Sequence, residues 1–504
     1  MPRAEPKHQP IMGSDDDERD LLLRDKKVAP LSGCSAALPF LVAVVIGLPL
    51  LLVLLPLTLL WKLLSFPFKP CCRKEPAKPV VLPAPQARVG AGGDKGELDV
   101  VIFGATGFTG AMVAKYLASQ YSNTIKWGIA GRRRPALEKL KNELVAADPK
   151  LADLPIIVAD SSNFEQLYAL CAATKCVLST VGPFVKFGTP LVQCCAETGT
   201  DYCDITGETD WVREMIDRYD ALAHQTGARI VHFCGHDCVP WDCAILAVAN
   251  KLQEQHGQAM ASVRCYDEIR GSASGGTIAT IFASLEGRIK YKAQACAGFD
   301  PLVKGFISVE GEEPSKSDCR TSADNQSFLG YSSERGSWVG PFVMAAVMAN
   351  CVKRSNALLA YGPHLRYYEA VTYPNFFAGF VECLGLIVFG VGLVFPPLRW
   401  ILRSCVLPSP GEGPSDAAMN AGYLKVNVVG TGEKGAIEKA YFYFPTDPGY
   451  RDTSRMLVES GLALSLQSSE LSRGGKGGVL TPAACQGMVL LKRLEDSGST
   501  FRWE

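Results

Sequence analysis

One segment near residue 100 limits the folds that are open to this chain of 504 residues. Residues 100–103 (VVIF) form a short apolar run that is typical of a buried parallel strand. Gly104, Gly107 and Gly110 follow at three-residue spacing, and a helical pattern of apolar residues begins directly after them. Strand, glycine turn and helix in this order predict the opening of a dinucleotide-binding Rossmann unit. The alternative is a glycine turn that serves packing alone.

Each glycine of this turn has a predicted role toward a bound dinucleotide. The first allows the tight turn, the second lets the backbone approach a pyrophosphate, and the third lets helix and strand pack closely. The pyrophosphate would lie at the helix N-terminus, where unpaired N–H groups and the helix dipole favour an anion. The predicted cofactor-binding residues of the turn are Gly104, Ala105, Thr106, Gly107, Phe108, Thr109 and Gly110.

Arginines after the second predicted strand indicate which dinucleotide binds. The strand covers residues 126–130 (KWGIA), and Arg132, Arg133 and Arg134 follow it closely. A Rossmann domain that binds NAD places an acidic residue near this point, where it holds the ribose 2′-hydroxyl. A guanidinium group pairs instead with a 2′-phosphate. Arg132 and Arg133 therefore predict NADP(H), against the alternative of a basic start to the next helix.

Two later strands end in residues that are also predicted to contact the cofactor. A third buried strand, 156–159, ends at Asp160 and Ser161, which would flank the adenine; the other reading is that this segment caps the next helix. A fourth strand, 176–181, leads into a bend at the carboxyl edge of the sheet, where cofactor and substrate meet. The predicted cofactor-binding residues of that bend are Val181, Gly182 and Pro183.

Polar residues at the ends of further strands are the candidates for catalysis. Hydride transfer needs the nicotinamide placed beside the substrate and usually a proton donor as well. The candidates for that donor are Asp204, Glu208 and Asp237, with His236 beside the last, although each also suits a turn or a helix cap. The chain contains no Tyr-x-x-x-Lys pair, which argues against a short-chain dehydrogenase.

The histidines and cysteines around residue 236 predict no metal site. Three of them, His232, Cys234 and His236, would share one face of a strand, but a glycine and a proline interrupt that strand. No paired C-x-x-C knuckle accompanies them. The residues concerned are His232, Cys234, His236, Cys238 and Cys243.

Two apolar stretches outside the Rossmann pattern predict contact with a lipid bilayer. Residues 36–61 carry no charged side chain and are long enough to cross as a helix, although their prolines also fit a hairpin in one leaflet. Residues 376–400 carry one charge, Glu382, before Arg399. This second stretch predicts an element that dips into a lipid surface. Its alternatives are a core or homodimer element and a crossing helix.

Seven motifs together give the chain a resemblance to a known family. The motifs are GATGFTG (104–110), AGRR (130–133), STVGPF (179–184), YCDITGE (202–208), CGHDCVPWD (234–242), SGGTIAT (274–280) and GGVLTPAA (477–484). From about residue 98 to the end, the sequence resembles the saccharopine dehydrogenase-like oxidoreductases, in their membrane- and lipid-droplet-associated branch. Because bacterial relatives act as trans-acting enoyl reductases in the synthesis of complex lipids, the resemblance implies a lipid-like substrate. The expected location is the endoplasmic reticulum or a lipid droplet, with the catalytic body facing the cytosol.

The resemblance and the composition together predict an α/β fold with a Rossmann domain, an inserted mixed α/β domain and an N-terminal membrane segment. Within the second domain, the polar residues 305–338 predict a loop. The formal net charge of zero gives no general attraction to nucleic acid, and 18 scattered cysteines predict reduced thiols. The expected regions are a disordered tail (1–35), a membrane segment (36–61), a linker (62–97), the Rossmann NADP-binding domain (98–245), the second domain with the stretch 376–400 (246–420), and C-terminal strands and helices that return to the body (421–504).

Three functions are compatible with these observations. The favoured one is a membrane-associated NADP(H)-dependent oxidoreductase that acts on a lipid or a lipid precursor. The second is an NADP(H)-binding scaffold or sensor at a lipid surface that turns nothing over, since no catalytic acid or base is obvious. The third is a saccharopine-type amino-acid dehydrogenase, which the apolar stretches weaken because a soluble amino acid gives no reason for them.

Overall fold

The computed structural model describes residues 96–271, 319–395, 400, 413–471 and 476–504. The expectations for the tail 1–35, the membrane segment 36–61 and the SGGTIAT motif lie outside these residues, as does nearly all of the linker 62–97. The described residues 380–395 belong to a compact unit separate from that of the other described residues.

The chain from residue 98 to 231 alternates strands and helices, as its apolar runs predict. Its strands are β1 (Leu98–Phe103), β2 (Trp127–Gly131), β3 (Ile156–Val158), β4 (Thr174–Ser179), β5 (Asp201–Asp204) and β6 (Arg229–Val231). Its helices are α1 (Phe108–Gln120), α2 (Arg134–Ala147), α3 (Phe164–Ala172), the short α4 (Phe184–Phe187), α5 (Thr189–Thr198) and α6 (Thr209–Thr226).

The remaining described chain is richer in strands. These are β7 (Met260–Arg270), β8 (Arg320–Ala323), β9 (Gly330–Ser332), β10 (Ser337–Gly340), β11 (His364–Tyr373), β12 (Tyr423–Gly432), β13 (Ile437–Phe444), β14 (Gly478–Leu480) and β15 (Thr500–Trp503). The helices are α7 (Val239–His256), α8 (Ala345–Leu359), α9 (Phe376–Val394), α10 (Asp416–Asn420), α11 (Thr453–Leu466), α12 (Pro482–Cys485) and α13 (Gly487–Asp496).

Seven parallel strands form the first sheet, in the order β3-β2-β1-β4-β5-β6-β14. The first six follow the strand order of a Rossmann fold, which confirms the predicted class. Side chains alternate between two buried faces: Val100 and Ile102 pack toward α1, α2 and α11, whereas Val101 and Phe103 pack toward α3, α5 and α6. Helices cover both faces because the apolar strands of a parallel sheet must be buried on both sides.

The C-terminal part of the chain completes this first sheet. Strand β14 pairs in parallel with β6, and α11 packs on β1, β4 and β5. An added Cβ at Gly461 of α11 would lie 2.3 Å from Leu178 Cδ2, so the absence of a side chain lets the helix approach the sheet closely. The nucleotide-binding fold is therefore built from both ends of the described chain.

A second, mixed sheet is formed mainly by the chain between β6 and β14, and its edge strand β15 follows β14. Its order is β15-β13-β12-β7-β11-β10-β9, and β8 pairs with β11. Helix α7 begins at the edge of the first sheet and packs on β12 and β13, so the two sheets share one core. Residue 245, the expected end of the first domain, lies inside this helix. The described part of the predicted loop 305–338 begins at residue 319 and contains short, largely polar strands, so the prediction is wrong at β8, β9 and the first two residues of β10.

The second apolar stretch is helical over residues 376–394. Phe377 is 64% exposed and Ile387, in the separate unit, is 49% exposed. Within the described ranges, no helix is long and apolar enough to cross a membrane.

Candidate dinucleotide and catalytic site

The glycine turn between β1 and α1 has the geometry that a dinucleotide requires. Gly104 has a φ of +92°, in the left-handed region that favours glycine. An added Cβ at Gly110 would lie 2.2 Å from Gly104 O, so the third glycine is required for close packing. Gly107 is exposed, and a Cβ there would meet only Gly104 O, at 3.3 Å. The second glycine is therefore the one that leaves its backbone open to a ligand.

The first turn of α1 can receive a phosphate. Gly107 is its N-cap, no side chain caps the helix, and the first turn carries no acidic residue. The amide groups of Phe108, Thr109 and Gly110 have no intrahelical acceptor, since they belong to the first turn. These donors and the helix dipole fit a pyrophosphate group.

The bend after β4 is fixed against the glycine turn and against β5. Thr180 Oγ1 lies 3.2 Å from the carbonyl oxygens of Phe103 and Gly104. The carboxylate of Glu208 accepts hydrogen bonds from Phe184 N at 2.9 Å and Val185 N at 2.8 Å. Burial raises the pKa of Glu208. This glutamate, a predicted proton donor, therefore holds the start of α4 and with it the predicted cofactor-binding bend Val181, Gly182 and Pro183.

The arginines after β2 differ in their contacts. The side chains of Arg132 and Arg133 are exposed and have no hydrogen bond or ion pair among the described residues, whereas Arg134 Nη1 lies 3.7 Å from Glu138 Oε1. Asp160 accepts hydrogen bonds from the Ser162 hydroxyl at 2.6 Å and the Ser162 amide at 2.9 Å, which lower its pKa, and the charge of Arg132 adds to this. The structure thus brings Arg132 near Asp160 and the neighbouring Ser161, at the ends of adjacent strands.

Asp204 is enclosed by hydrogen bonds at the end of β5. Its side chain is fully buried and accepts from Tyr202 Oη at 2.9 Å and from Thr206 N at 3.1 Å. His232 Nδ1 lies 2.8 Å from its Oδ2. These contacts join the ends of β5 and β6 and leave Asp204 no exposed surface toward a substrate.

Asp237 and His236 lie just beyond β6 in a different environment. His236 Nε2 lies 3.7 Å from Asp237 Oδ1, and His236 N donates to Thr453 Oγ1 at 2.9 Å. Burial raises the pKa of Asp237 to about 7 and lowers the pKa of His236 to about 3. His236 Nδ1 and Asp237 Oδ1 have no hydrogen-bond partner in the described part of the chain. The pair therefore combines a neutral imidazole with a carboxyl group that keeps its proton near neutral pH.

The second sheet adds two residues that the motifs did not single out, Asp267 and Glu369, and Trp241 of the 234–242 motif contacts the first of them. Trp241 is fully buried at the start of α7, and its Nε1 donates to Asp267 Oδ1 at 3.0 Å. Asp267 on β7 and Glu369 on β11 are both fully buried, and neither pairs with a basic side chain among the described residues. Burial raises the pKa of Asp267 to about 8 and raises the pKa of Glu369 as well. Both acids lie among other charged and polar residues of β7 and β11, so no pattern in the sequence distinguished them.

The buried pair Asp267 and Glu369 makes stability dependent on pH. A carboxyl pKa that is higher in the folded state stabilises the fold at low pH, and this stability is lost as pH rises toward the folded pKa. We expect the free energy of unfolding to fall by about 1.4 kcal/mol per pH unit for each of the two carboxyl groups, from the unfolded pKa of about 4 up to the folded pKa, which is about 8 for Asp267. Urea unfolding across that range should show a smaller slope for Asp267→Asn, and equal slopes would contradict the assignment.

Comparison with known proteins places the chain in a family. Residues 100–231 match the family model described as the saccharopine dehydrogenase NADP binding domain. Over 422 residues, the chain is 36% identical to a Mycobacterium tuberculosis protein assigned to the trans-acting enoyl reductases, covering 81% of this chain and 97% of that protein. The chain belongs to the saccharopine dehydrogenase-like oxidoreductases. The resemblance identified from its motifs is confirmed, while the membrane-associated branch stays a prediction.

One further relative supports that placement, and one solved structure has a weaker likeness. A trans-acting enoyl reductase from Mycobacterium ulcerans is 34% identical over 421 residues, which cover 80% of this chain and 96% of that protein. The solved saccharopine dehydrogenase (L-Glu forming) from Saccharomyces cerevisiae covers 80% of this chain and 99% of its own, with 12% identity and a TM-score of 0.45.

Proposed function

We propose that this oxidoreductase uses NADPH to reduce a carbon–carbon double bond in a lipid-linked enoyl substrate. The observation that carries the proposal is the 36% identity to a trans-acting enoyl reductase over 422 residues. The open glycine turn and the two unpaired arginines after β2 support NADPH as the cofactor.

The reduction needs a hydride and a proton. Bound NADPH supplies the hydride, which adds to one carbon of the double bond and leaves NADP⁺. The other carbon takes a proton, and Asp237 is the favoured donor because burial raises its pKa to about 7. Solvent would then return a proton to Asp237. Asp204 and Glu208 are less suited, since their oxygens accept hydrogen bonds within the protein.

The test is NADPH oxidation by the purified full chain with trans-2-enoyl thioesters of different chain lengths. Loss of NADPH absorbance together with a product that mass spectrometry finds heavier by two hydrogens supports the proposal. NADPH binding without oxidation of any thioester would favour the scaffold function instead. Reduction of NADP⁺ with saccharopine, in the absence of enoyl turnover, would favour the amino-acid dehydrogenase.

The arginines after β2 carry the preference for the phosphorylated cofactor. We expect the double variant Arg132→Ala, Arg133→Ala to raise the Kd for NADPH by about 10- to 100-fold, because charge-assisted contacts with the 2′-phosphate are lost. The Kd for NADH should change little. Arg134→Ala is the matched control, since Arg134 contacts Glu138. Isothermal titration calorimetry that finds equal effects on both cofactors would contradict this role.

We also propose that the protein works at a lipid surface, on the endoplasmic reticulum or a lipid droplet, with its catalytic body in the cytosol. The uncharged residues 36–61 and the exposed side chains Phe377 and Ile387 of the second apolar stretch support this. Flotation of the full chain with phosphatidylcholine vesicles tests it, and a protein that stays at the bottom of the gradient would contradict it.

A further inference from the structure

An apolar turn of the inserted domain lies beside the proposed proton donor. Phe342, Val343 and Met344 form this turn, between β10 and α8. A Cβ placed on Gly207 would lie 3.3 Å from Met344 Cε and 3.8 Å from Asp237 Oδ2. The Met344 methyl group and the Asp237 carboxyl group therefore both border the space above Gly207, at the carboxyl edge of the parallel sheet.

The turn is held firmly in this position. The ring of Phe342 stacks on Trp241 with centroids 5.6 Å apart and meets His236 edge-on at 6.3 Å. Ala345 N donates to Phe342 O at 3.2 Å, which closes the turn at the start of α8. Trp241 is itself fully buried and held by Asp267. A turn packed in this way presents a preformed surface to a ligand.

The chemistry of the turn indicates which part of a ligand it would contact. Val343 is 64% exposed, and Phe342 and Met344 are partly exposed, so three consecutive apolar side chains border solvent next to His236 and Asp237. Contact between this apolar surface and apolar substrate atoms favours binding, by about 25 cal/mol for each Å² of apolar surface removed from water.

We infer that Met344 is a specificity-determining residue that contacts the hydrocarbon chain of the substrate next to the carbon that receives the proton. This inference rests on the proposed reduction of an enoyl substrate and names the part of the substrate that the chain recognises. Because Met344 reaches the space above Gly207 with its terminal methyl group, its flexible side chain adapts to the shape of an acyl chain.

The experiment compares Met344→Gln with the wild-type full chain on the trans-2-hexadecenoyl and trans-2-butenoyl thioesters of N-acetylcysteamine. Glutamine is uncharged, so it removes the apolar contact without adding an ammonium group beside Asp237. We expect Met344→Gln to lower kcat/KM for the long substrate by about tenfold or more, mainly through KM, and to change the short substrate by about twofold or less. Met344→Leu should restore most of the loss. Ile437→Gln, which adds the same amide at an exposed position of β13, is the matched control.

The outcomes separate this inference from the proposed function. Equal losses on both thioesters, or no loss on either, would overturn the role of Met344 even if the enzyme reduces enoyl groups. If the wild type reduces neither thioester, the test is binding. Calorimetry then measures the Kd of the saturated hexadecanoyl thioester in the presence of NADP⁺ for the wild type and the variant. Weaker binding by Met344→Gln supports the inference, and unchanged or undetectable binding overturns it.

Discussion

Replacing Gly107 with valine is expected to abolish NADPH binding while the protein remains folded. Gly107 is exposed with a φ of −77°, which valine also adopts, and a Cβ there meets only Gly104 O at 3.3 Å. The added side chain would instead occupy the side from which a pyrophosphate approaches the backbone. We expect the Kd for NADPH to rise by about 100-fold or more, through the loss of charge-assisted contacts worth about 1.5–3 kcal/mol each.

Calorimetry gives the Kd, and circular dichroism with thermal unfolding checks that the variant is folded. Gly110→Val is the informative comparison, because its Cβ would lie 2.2 Å from Gly104 O. That variant should lower the unfolding temperature as well as binding. Tight binding of NADPH by a folded Gly107→Val protein would show that the dinucleotide binds elsewhere.

Replacing Asp237 with asparagine is expected to lower kcat by about 10²- to 10⁴-fold, the usual contribution of a positioned acid. The Kd for NADPH should stay unchanged, because the pyrophosphate is expected to bind at the glycine turn 104–110, of which Asp237 is not a part. The wild-type kcat should fall as pH rises through about 7, since the carboxyl group then loses the proton that it donates. In Asp237→Asn the small remaining rate should lack this dependence.

Steady-state kinetics across pH 5.5 to 8.5 (roughly one and a half units either side of the Asp237 pKa) measures both effects. Glu208→Gln is the comparison variant, because Glu208 also has a raised pKa but its carboxylate holds the Phe184 and Val185 amides. It should reduce thermal stability and keep the same pH midpoint. An unchanged pH midpoint in Asp237→Asn would assign the proton donor to another group.

The sequence does not distinguish the three acidic candidates for the proton donor from one another. Each candidate lies at or after the end of a strand of the parallel sheet. The positions of Asp204, Glu208 and Asp237 in the sequence therefore suit catalysis equally well. Their hydrogen bonds separate them: Asp204 accepts from Tyr202 and Thr206, Glu208 accepts from two backbone amides, and Asp237 Oδ1 has no partner in the described chain. The two amides that bond to Glu208 belong to α4, and His232, which contacts Asp204, follows β6. The pattern of one segment does not contain these contacts.

The residues of the inserted domain were missed for a related reason. Asp267, Met344 and Glu369 come more than 25 residues after Asp237 in the sequence, in segments without a recognised motif. They reach the site because α7 packs on the second sheet and α8 follows the turn at Met344. Strand β14, the seventh of the first sheet, was missed as well. Its three residues (GVL, 478–480) are too few for a pattern to distinguish a strand from a turn.

The sequence alone predicted the Rossmann fold, which the structure confirms, and also the place of the pyrophosphate and the arginines for the 2′-phosphate, which stay predictions. Each of these depends on a strand, a turn and a helix that are adjacent in the chain, so local spacing and glycine conformation are sufficient. Only the tertiary structure decided which acid is favoured as proton donor and what lies beside it. Burial sets the pKa of Asp237, and the neighbours that surround it come from elements distant in sequence.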